Sequence, residues 1–264
     1  MGQEVEGSFL KSGMMAHSAL RAHAGSVVDL LLDIVYPREC LLCDARIAGQ
    51  PVRAVCLSCG QGLAWQQASL CHHCGQPRDK GASCPCSAEE KFAFDSVWSF
   101  GPYQGNLKKL VHAFKFQKNK AVGRDLAQFL LRSETLGEIF RSAQGIVPVP
   151  MHPLKEKDRG YNQAGVLAKE LAGAAGLPCF GHALVKSQTS LPQVELGRDA
   201  RWQNLSGTFA IGASNAIGRR DLILVDDVMT TGATAHHCAQ LLRLSGARHI
   251  AVVVLARSTQ IMLA

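Results

Sequence analysis

One stretch near the carboxyl end of the chain, LILVDDVMTTGAT at 222–234, constrains the fold more than any other. Its first four residues are apolar, which is typical of a buried parallel strand. Asp226 and Asp227 follow, and a small, hydroxyl-rich Thr-Thr-Gly-Ala-Thr segment comes after them. Apolar residues then recur at helical spacing from Ala235 to Leu242. The stretch therefore predicts a strand, an acidic turn, a loop and a helix, in that order.

The loop and the two acids together indicate the kind of ligand. A loop that leads into a helix presents backbone N–H groups, hydroxyls and the positive end of the helix dipole, which all favour an anion. Two carboxylates would repel a lone phosphate, but they accept hydrogen bonds from hydroxyls beside it, as in ribose 5-phosphate. The alternative, an ordinary turn with an N-capping Asp or Thr, explains one polar residue and not six. The sequence lacks a Walker A pattern, so ATP hydrolysis is not indicated.

The same stretch resembles the 13-residue signature with which type I phosphoribosyltransferases bind phosphoribosyl pyrophosphate (PRPP). The resemblance implies that Asp226 and Asp227 hold the ribose 2′- and 3′-hydroxyls. It also implies that PRPP is bound together with Mg²⁺. The residues that would surround the 5-phosphate are Thr230, Thr231, Gly232, Ala233 and Thr234.

Paired cysteines are the second strong feature. Ten cysteines occur in the chain, and eight of them lie between positions 40 and 86 in closely spaced pairs. We find no signal peptide, so a reducing compartment is expected, which argues against disulfides. Close pairs are what tetrahedral Zn²⁺ requires, because each turn supplies two thiolates. The predicted metal ligands are Cys40, Cys43, Cys56, Cys59, Cys71, Cys74, Cys84 and Cys86.

We predict two four-thiolate zinc sites, which together form a double zinc ribbon. In the preferred scheme the first cysteine pair joins the second and the third joins the fourth. Interleaved pairing, one site with spare cysteines, and an iron–sulfur cluster remain alternatives. His72 and His73 lie inside one Cys-x2-Cys turn, either as ligands or pointing outward. The segment has little other core, so zinc is expected to hold it together.

The chain divides into three parts. Residues 1–36 form a leader with a short amphipathic helix at 27–36, residues 37–94 form the double zinc ribbon, and residues 95–264 form an α/β domain. That last domain carries 20 Lys and Arg against 12 Asp and Glu, which suits a phosphorylated ligand. No apolar run approaches about 20 residues, so we expect no membrane span and a cytoplasmic protein.

Strands and helices alternate in the predicted α/β domain. Such alternation predicts a parallel sheet flanked by helices, with ligands at the carboxyl ends of its strands. The predicted strands are 95–100, 145–150, 222–226 and 249–256, and the predicted helices are 105–116, 121–132 and 163–175.

Further motifs resemble those of the ComF family, which includes a GntX-like branch. They are the cysteine pairs, YQGNLKKLVHAFKF at 103–116, VPVPMHPLKEKDRGYNQ at 147–163, TSLPQVELGRDARWQNLSGTF at 189–209, and the PRPP signature. The resemblance implies a double zinc ribbon before a type I phosphoribosyltransferase-like domain. It also implies a role in DNA uptake during natural transformation, acting on cytoplasmic single-stranded DNA alongside other DNA-uptake proteins.

A polar segment after the predicted strand at 145–150 is a candidate pyrophosphate site. Lys157 and Arg159 are predicted to lie in a mobile loop that closes over the anion. Asn162 and Gln163 offer amide groups to phosphate or to a base. The alternative is a solvated charged loop with Asn162 as a helix N-cap.

A basic stretch at 105–124 contains no acid. Lys115, Lys118 and Lys120 are possible contacts to a nucleic-acid backbone, with Phe114 or Phe116 available for stacking. A solvated helix face with Phe114 in the core is the alternative.

Three functions stay open. The protein is a ComF-like PRPP-binding protein of DNA uptake, a true phosphoribosyltransferase with an unknown acceptor, or a zinc-ribbon adaptor that only senses PRPP. The sequence shows neither a general base nor a segment that recognises a base.

Overall fold

The computed structural model describes residues 38–47, 54–63, 69–78, 86, 92–186, 207–212 and 217–258. The predicted leader helix at 27–36 lies outside these residues, as does Cys84. Among the described helices, none combines the length and apolar character needed to cross a bilayer.

The elements are numbered here in chain order. In the cysteine-rich part they are α1 (Leu57–Gly62), β1 (Ser69–Leu70) and β2 (Pro77–Arg78). Next come β3 (Ser96–Pro102), α2 (Gly105–Phe116), α3 (Lys120–Leu130), α4 (Glu134–Ser142), β4 (Ile146–Pro148), α5 (Pro153–Arg159) and α6 (Gln163–Ala175). The last are β5 (Leu184–Lys186), β6 (Phe209–Ile211), β7 (Asp221–Met229), α7 (Ala233–Leu244) and β8 (His249–Arg257).

A four-stranded parallel sheet with the order β3-β8-β7-β4 forms the centre of the fold. Its two middle strands pair along their full length, from Asp221 opposite His249 to Met229 opposite Arg257. Each contains a continuous apolar run, 222–225 in β7 and 250–256 in β8, as expected for strands covered on both faces. The predicted parallel sheet is therefore confirmed.

Helices cover both faces of this sheet. Ile223 and Val225 of β7 belong to one buried cluster, which also contains core residues of α2, α3 and α6. Leu222 and Leu224 point the other way and pack with α7, for example against Cys238. This alternation follows from the two-residue period of a strand.

Strand β7 extends further than the sequence predicted. The sequence predicts an acidic turn after residue 225 or 226, but the strand continues to Met229 and carries Asp226 and Asp227 within it. The cause is the neighbouring strand, because the ladder with β8 continues through Asp226 opposite Val254 and Val228 opposite Ala256.

The predicted mobile loop around Lys157 and Arg159 is also wrong, because these residues lie on helix α5. Pro153 lies in the first turn of this helix, His152 caps it by accepting a hydrogen bond from the Leu154 N–H, and Gly160 ends it with a φ of 85°. The sequence reasoning also missed helix α4 and the antiparallel pair β5–β6.

Candidate functional site

A cavity of about 750 Å³ opens at the carboxyl ends of β4 and β7. Open parallel sheets bind ligands at this edge because helix N-termini and loops converge there. Both signature acids line the cavity, and so does the whole segment Thr230–Thr234, which is called the phosphate loop below. The structure thus brings all the predicted signature residues to one place.

The two carboxylates have different surroundings. Asp227 is 9% exposed and forms an ion pair with Lys115, with 3.1 Å between Oδ1 and Nζ. Asp226 accepts a hydrogen bond from the Asp227 backbone N–H at 2.8 Å. Burial, and then the neighbouring Asp227 charge, raise the pKa of Asp226 to about 7. This edge of the sheet therefore holds an acid that lacks enough nearby positive charge to stay ionised at low cost.

The phosphate loop turns sharply into helix α7. Gly232 adopts a φ of 87°, which favours glycine, and α7 begins at the next residue. The Thr231 hydroxyl accepts a hydrogen bond from the Ala233 N–H at 3.3 Å. The remaining N–H groups of the first helical turn have no partner within the helix, and the helix dipole adds positive potential. The loop therefore presents hydrogen-bond donors and positive potential of the kind that favours an anion.

Cationic side chains from three elements face the acids and the phosphate loop. They are Lys108 and Lys115 of α2, Lys155 and Arg159 of α5, and Lys186 of β5. Burial, followed by the nearby Lys155 charge, lowers the pKa of Lys186. Together these cations can balance a ligand with several negative charges.

The structure selects among the cations that the sequence proposed. Lys155 and Arg159 are four residues apart and share the cavity face of α5, whereas Lys157 is exposed and does not line the cavity. The sequence reasoning missed Lys155, although helical spacing from Arg159 would have indicated it once the segment was taken as a helix.

Asn162 and Gln163 have structural roles. Asn162 lines the cavity, but its side chain caps α6 through Ala164 N–H at 3.1 Å and donates to the Val149 carbonyl at 3.0 Å. Gln163 is 1% exposed and is not part of the cavity wall; its Oε1 accepts a hydrogen bond from Arg159 Nη1 at 3.2 Å. Gln163 therefore orients Arg159 instead of meeting a ligand itself.

The three lysines proposed for nucleic acid are separated by the fold. Lys115 lies in the cavity beside Asp227, whereas Lys118 and Lys120 are exposed outside it. Phe114 is fully buried, and Phe116 is 58% exposed. The Arg159 guanidinium lies 5.3 Å from the centre of the Phe116 ring, so this exposed aromatic borders the cavity.

The cysteines gather in two groups. In each group the sulfur atoms all lie within 4.8 Å of one another; the first cysteine cluster is Cys40, Cys43, Cys56 and Cys59, and the second is Cys71, Cys74 and Cys86. Two Sγ–Sγ separations, 3.7 Å for Cys43–Cys56 and 3.6 Å for Cys71–Cys86, are close to the roughly 3.8 Å of a tetrahedral zinc thiolate site. The grouping follows the sequential scheme among the described cysteines, and His72 and His73 belong to neither group.

Comparisons with known proteins agree with this arrangement. Residues 31–87 match the family model of a double zinc ribbon domain. The chain is 32% identical over 193 residues to competence protein F of Haemophilus influenzae, covering 71% of this chain and 84% of that protein. It is 28% identical over 230 residues to the DNA utilization protein YhgH of Salmonella typhimurium (85% and 99% covered). It is 26% identical over 220 residues to competence protein ComFC of Bacillus subtilis (77% and 88% covered).

Solved structures show a more distant similarity. A purine phosphoribosyltransferase from Pyrococcus horikoshii has 16% identity and a TM-score of 0.34, covering 52% of this chain and 82% of that one. For the orotate phosphoribosyltransferase from Aeropyrum pernix the identity is 17%, the TM-score 0.31 and the coverage 59% and 69%. The fold class rests on the parallel strand order and the position of the signature, not on these two scores.

The sheet, the signature at its carboxyl edge and the clustered cysteines define a class of protein: a zinc ribbon followed by a type I phosphoribosyltransferase-like domain. Structural zinc is consistent with both the thiol geometry and the ribbon match. The chain belongs to the ComF family, the family of competence protein F.

Proposed function

We propose that this protein binds PRPP in the cavity at the sheet edge and acts in DNA uptake on single-stranded DNA in the cytoplasm. One observation carries the proposal. Two adjacent carboxylates and the phosphate loop lie at the end of the same strand, and lysine and arginine side chains line the same cavity. The names of the relatives, competence protein and DNA utilization protein, support the process.

The ligand's groups correspond to the groups of the cavity. Asp226 and Asp227 accept hydrogen bonds from the ribose hydroxyls, and the N–H groups of the phosphate loop bind the 5-phosphate. Lys155 and Arg159 lie on the face of α5 that meets the pyrophosphate. Carboxylate and phosphate oxygens are the hard ligands that Mg²⁺ prefers, so Mg²⁺ held by the pyrophosphate and the acids would offset the ligand's charge.

Replacing both acids tests PRPP binding most directly. Asp226→Asn with Asp227→Asn removes the charged acceptors of two hydroxyls, each worth about 1.5–3 kcal/mol, so we expect PRPP affinity to fall about 100-fold or more. The matched control is Asp221→Asn, on the same strand but outside the cavity. Calorimetry with Mg²⁺ measures both. Equal affinities of the wild type and the double variant would contradict the proposal.

We also propose that each cysteine cluster holds one Zn²⁺, with Cys84 as the fourth ligand of the second cluster. Elemental analysis of the purified protein should then find two zinc ions per chain. One zinc, or iron instead of zinc, would refute the assignment. The buried cluster of the second segment consists of its three described cysteines, so chelation is expected to unfold that segment first.

A single-stranded nucleic acid is proposed to bind beside the cavity. Phe116 offers an exposed ring for a base, and Lys118 and Lys120 offer charge for the backbone. Lys115 is no longer part of this surface, because it is paired with Asp227 inside the cavity. The position of Arg159, which contacts Phe116 and lines the cavity, makes the two sites neighbours.

Charge reversal tests this surface. Lys118→Glu with Lys120→Glu should weaken binding of a single-stranded oligonucleotide in anisotropy titrations at low salt and reduce its salt slope by about 0.7 per lost phosphate contact. The control is Arg141→Glu with Lys169→Glu, exposed positions on α4 and α6 that change the net charge equally. Equal loss in both variants would show that net charge, and not this surface, determines binding.

A transferase reaction is a second candidate. The pKa of Asp226 near 7 favours it, because a group with that pKa can accept a proton at neutral pH. A pyrophosphate assay after incubation with PRPP, Mg²⁺ and candidate acceptors distinguishes a transferase from a protein that only binds PRPP. Release of pyrophosphate with an acceptor indicates transfer, and binding without release indicates a protein that only senses PRPP.

A further inference from the structure

The second cysteine cluster is attached to the phosphate loop through a buried arginine. Arg257, the last residue of β8, is 4% exposed. Its Nε donates to the Cys74 carbonyl at 2.9 Å and its Nη1 to the Met229 carbonyl at 3.1 Å. One planar guanidinium therefore joins the turn that carries two of the thiols to the residue directly before the phosphate loop.

An aromatic ring makes a second connection. Phe92 packs against the second cysteine cluster, and its ring centre lies 5.5 Å from that of His73 in the same turn. A Cβ built on Gly232 would lie only 3.0 Å from Phe92 Cε1, so the ring also lies against the phosphate loop. The ring of Phe94 stacks on that of Phe92, with 4.6 Å between the ring centres, and so restricts its position. Phe92 thus fills the space between a cysteine turn and the loop.

Backbone hydrogen bonds tie the same turn to the end of the sheet. The Val97 N–H of β3 donates to the His72 carbonyl at 2.7 Å. The Ser258 N–H donates to the Met229 carbonyl at 2.9 Å, and Gln76 Nε2 reaches the Ser258 carbonyl at 3.4 Å. The turn is therefore attached to the start of β3 and to the carboxyl ends of β7 and β8.

The first cysteine cluster has no comparable connection among the described residues. Its segment is held by helix α3, where buried Asp125 accepts the N–H groups of Ala54 and Val55 at 2.7 and 3.0 Å. The Phe129 ring of α3 packs closely on Gly60. None of these residues lines the cavity. The two clusters therefore differ in what they support.

We propose that the zinc of the second cluster and the ligand of the cavity are energetically coupled, with Phe92 and Arg257 as positioning residues. The proposal rests on the zinc and PRPP binding proposed above. A phosphate is bound well only if the loop N–H groups are held in one geometry, and packed interiors transmit displacement between neighbouring groups. Metal holds the cysteine turn in place, the turn holds the loop, and linkage requires that the ligand protects the metal in return.

Site-resolved alkylation tests the coupling in the full-length zinc protein. A zinc-selective chelator and a thiol reagent are added with or without saturating PRPP and Mg²⁺, and peptide mass spectrometry follows each cysteine. The ligand should slow alkylation of Cys71, Cys74 and Cys86 about fivefold or more and leave the first cluster unchanged. An equal effect on both clusters, or no effect on either, overturns the coupling.

A matched pair of variants locates the connection. In Phe92→Ala the ligand should no longer protect the second cluster, although the zinc content is retained. Phe180→Ala removes an equally half-buried ring at the other end of the sheet, near Gly145 and Arg220, and should keep the protection. Loss of protection in both variants contradicts the role of Phe92. If Phe92→Ala fails to fold, the wild-type comparison of the two clusters still decides the coupling.

Calorimetry with PRPP and Mg²⁺ on the same wild-type sample separates the two proposals. Absence of binding refutes the proposed ligand, whereas binding without selective protection of the second cluster refutes only the coupling.

Discussion

The two ends of the central sheet use the same kinds of charged residue in opposite ways. At the amino end, Asp221 forms a hydrogen-bonded ion pair with Arg248, with 2.8 Å between Oδ1 and Nε, and this bond lowers the pKa of Asp221. At the carboxyl end, burial and the Asp227 charge raise the pKa of Asp226. Both acids belong to β7, five residues apart.

The opposite pKa shifts of Asp221 and Asp226 distinguish a charge that stabilises the fold from a charge that costs stability and is available to a ligand. Solvent and a guanidinium satisfy Asp221, so its ionisation favours the folded state. Asp226 is ionised at a cost in the protein alone, a cost that ligand hydroxyls would offset. Natural proteins commonly accept such local destabilisation at binding sites. Each prediction below tests whether the two ends differ in this way.

The largest expected effect is on stability. Because the folded-state pKa of Asp226 lies above its ordinary value of 3.8, the wild type loses stability as pH rises from about 4 to about 7, and this loss then stays constant. Asp226→Asn avoids the loss and should be more stable by roughly 2–4 kcal/mol at pH 8, but nearly equal to wild type at pH 4. Urea unfolding at both pH values measures the difference.

Asp227→Asn is the contrasting variant at the same edge. It removes the attraction to Lys115 together with the repulsion of Asp226, and because these two changes oppose each other the gain in stability should be smaller. A stabilisation of equal size in Asp227→Asn and Asp226→Asn would show that the two acids share one environment, contrary to the structure.

The next effect concerns the cations of α5. Lys155→Met with Arg159→Met removes two charges from the cavity face and should weaken PRPP binding about 10–100-fold. Lys157→Met, on the exposed face of the same helix, should change the affinity less than about twofold. Calorimetry distinguishes the two. If Lys157→Met lowers PRPP affinity as much as the double variant does, the position of a cation on the helix does not determine whether it contacts the ligand.

The smallest effect is expected at the amino end. Asp221→Asn removes an exposed ion pair, so the melting temperature should fall by less than about 3 °C at pH 7, with no change in PRPP affinity. The pKa of Asp221 is lowered, so its contribution is present above pH 4 and is lost as pH falls below that value. A destabilisation that does not diminish as pH is lowered below 4 would contradict an ionic origin.

The features that the sequence predicted well depend on residues that are close together in the chain. The helices at 105–116 and 163–175 have the predicted bounds, because apolar periodicity and, for the second helix, the cap at Asn162 are properties of contiguous sequence. The signature placed Asp226, Asp227 and the phosphate loop together for the same reason, since all lie within one strand–loop–helix unit.

Long-range packing decided the rest. The sequence predicts a nucleic-acid contact at Lys115, but the fold places this side chain against Asp227, more than a hundred residues later in the chain. It predicts a ligand contact at Gln163, but this side chain is buried and hydrogen-bonded to Arg159. Neither outcome is visible in sequence, because periodicity says which side of a helix is apolar but not which element its polar side will face.

The sequence by itself therefore determined that the chain has a phosphate loop with two acids and two sets of clustered thiols. Only the tertiary structure decided which cations line the cavity and which thiols lie next to the phosphate loop. The four cysteine pairs look alike in sequence, yet the first cluster packs on α3 and the second is joined by Arg257 to the end of β7. The physical reason is that a cysteine pair specifies its metal through local geometry, whereas its neighbours are chosen by the packing of distant elements.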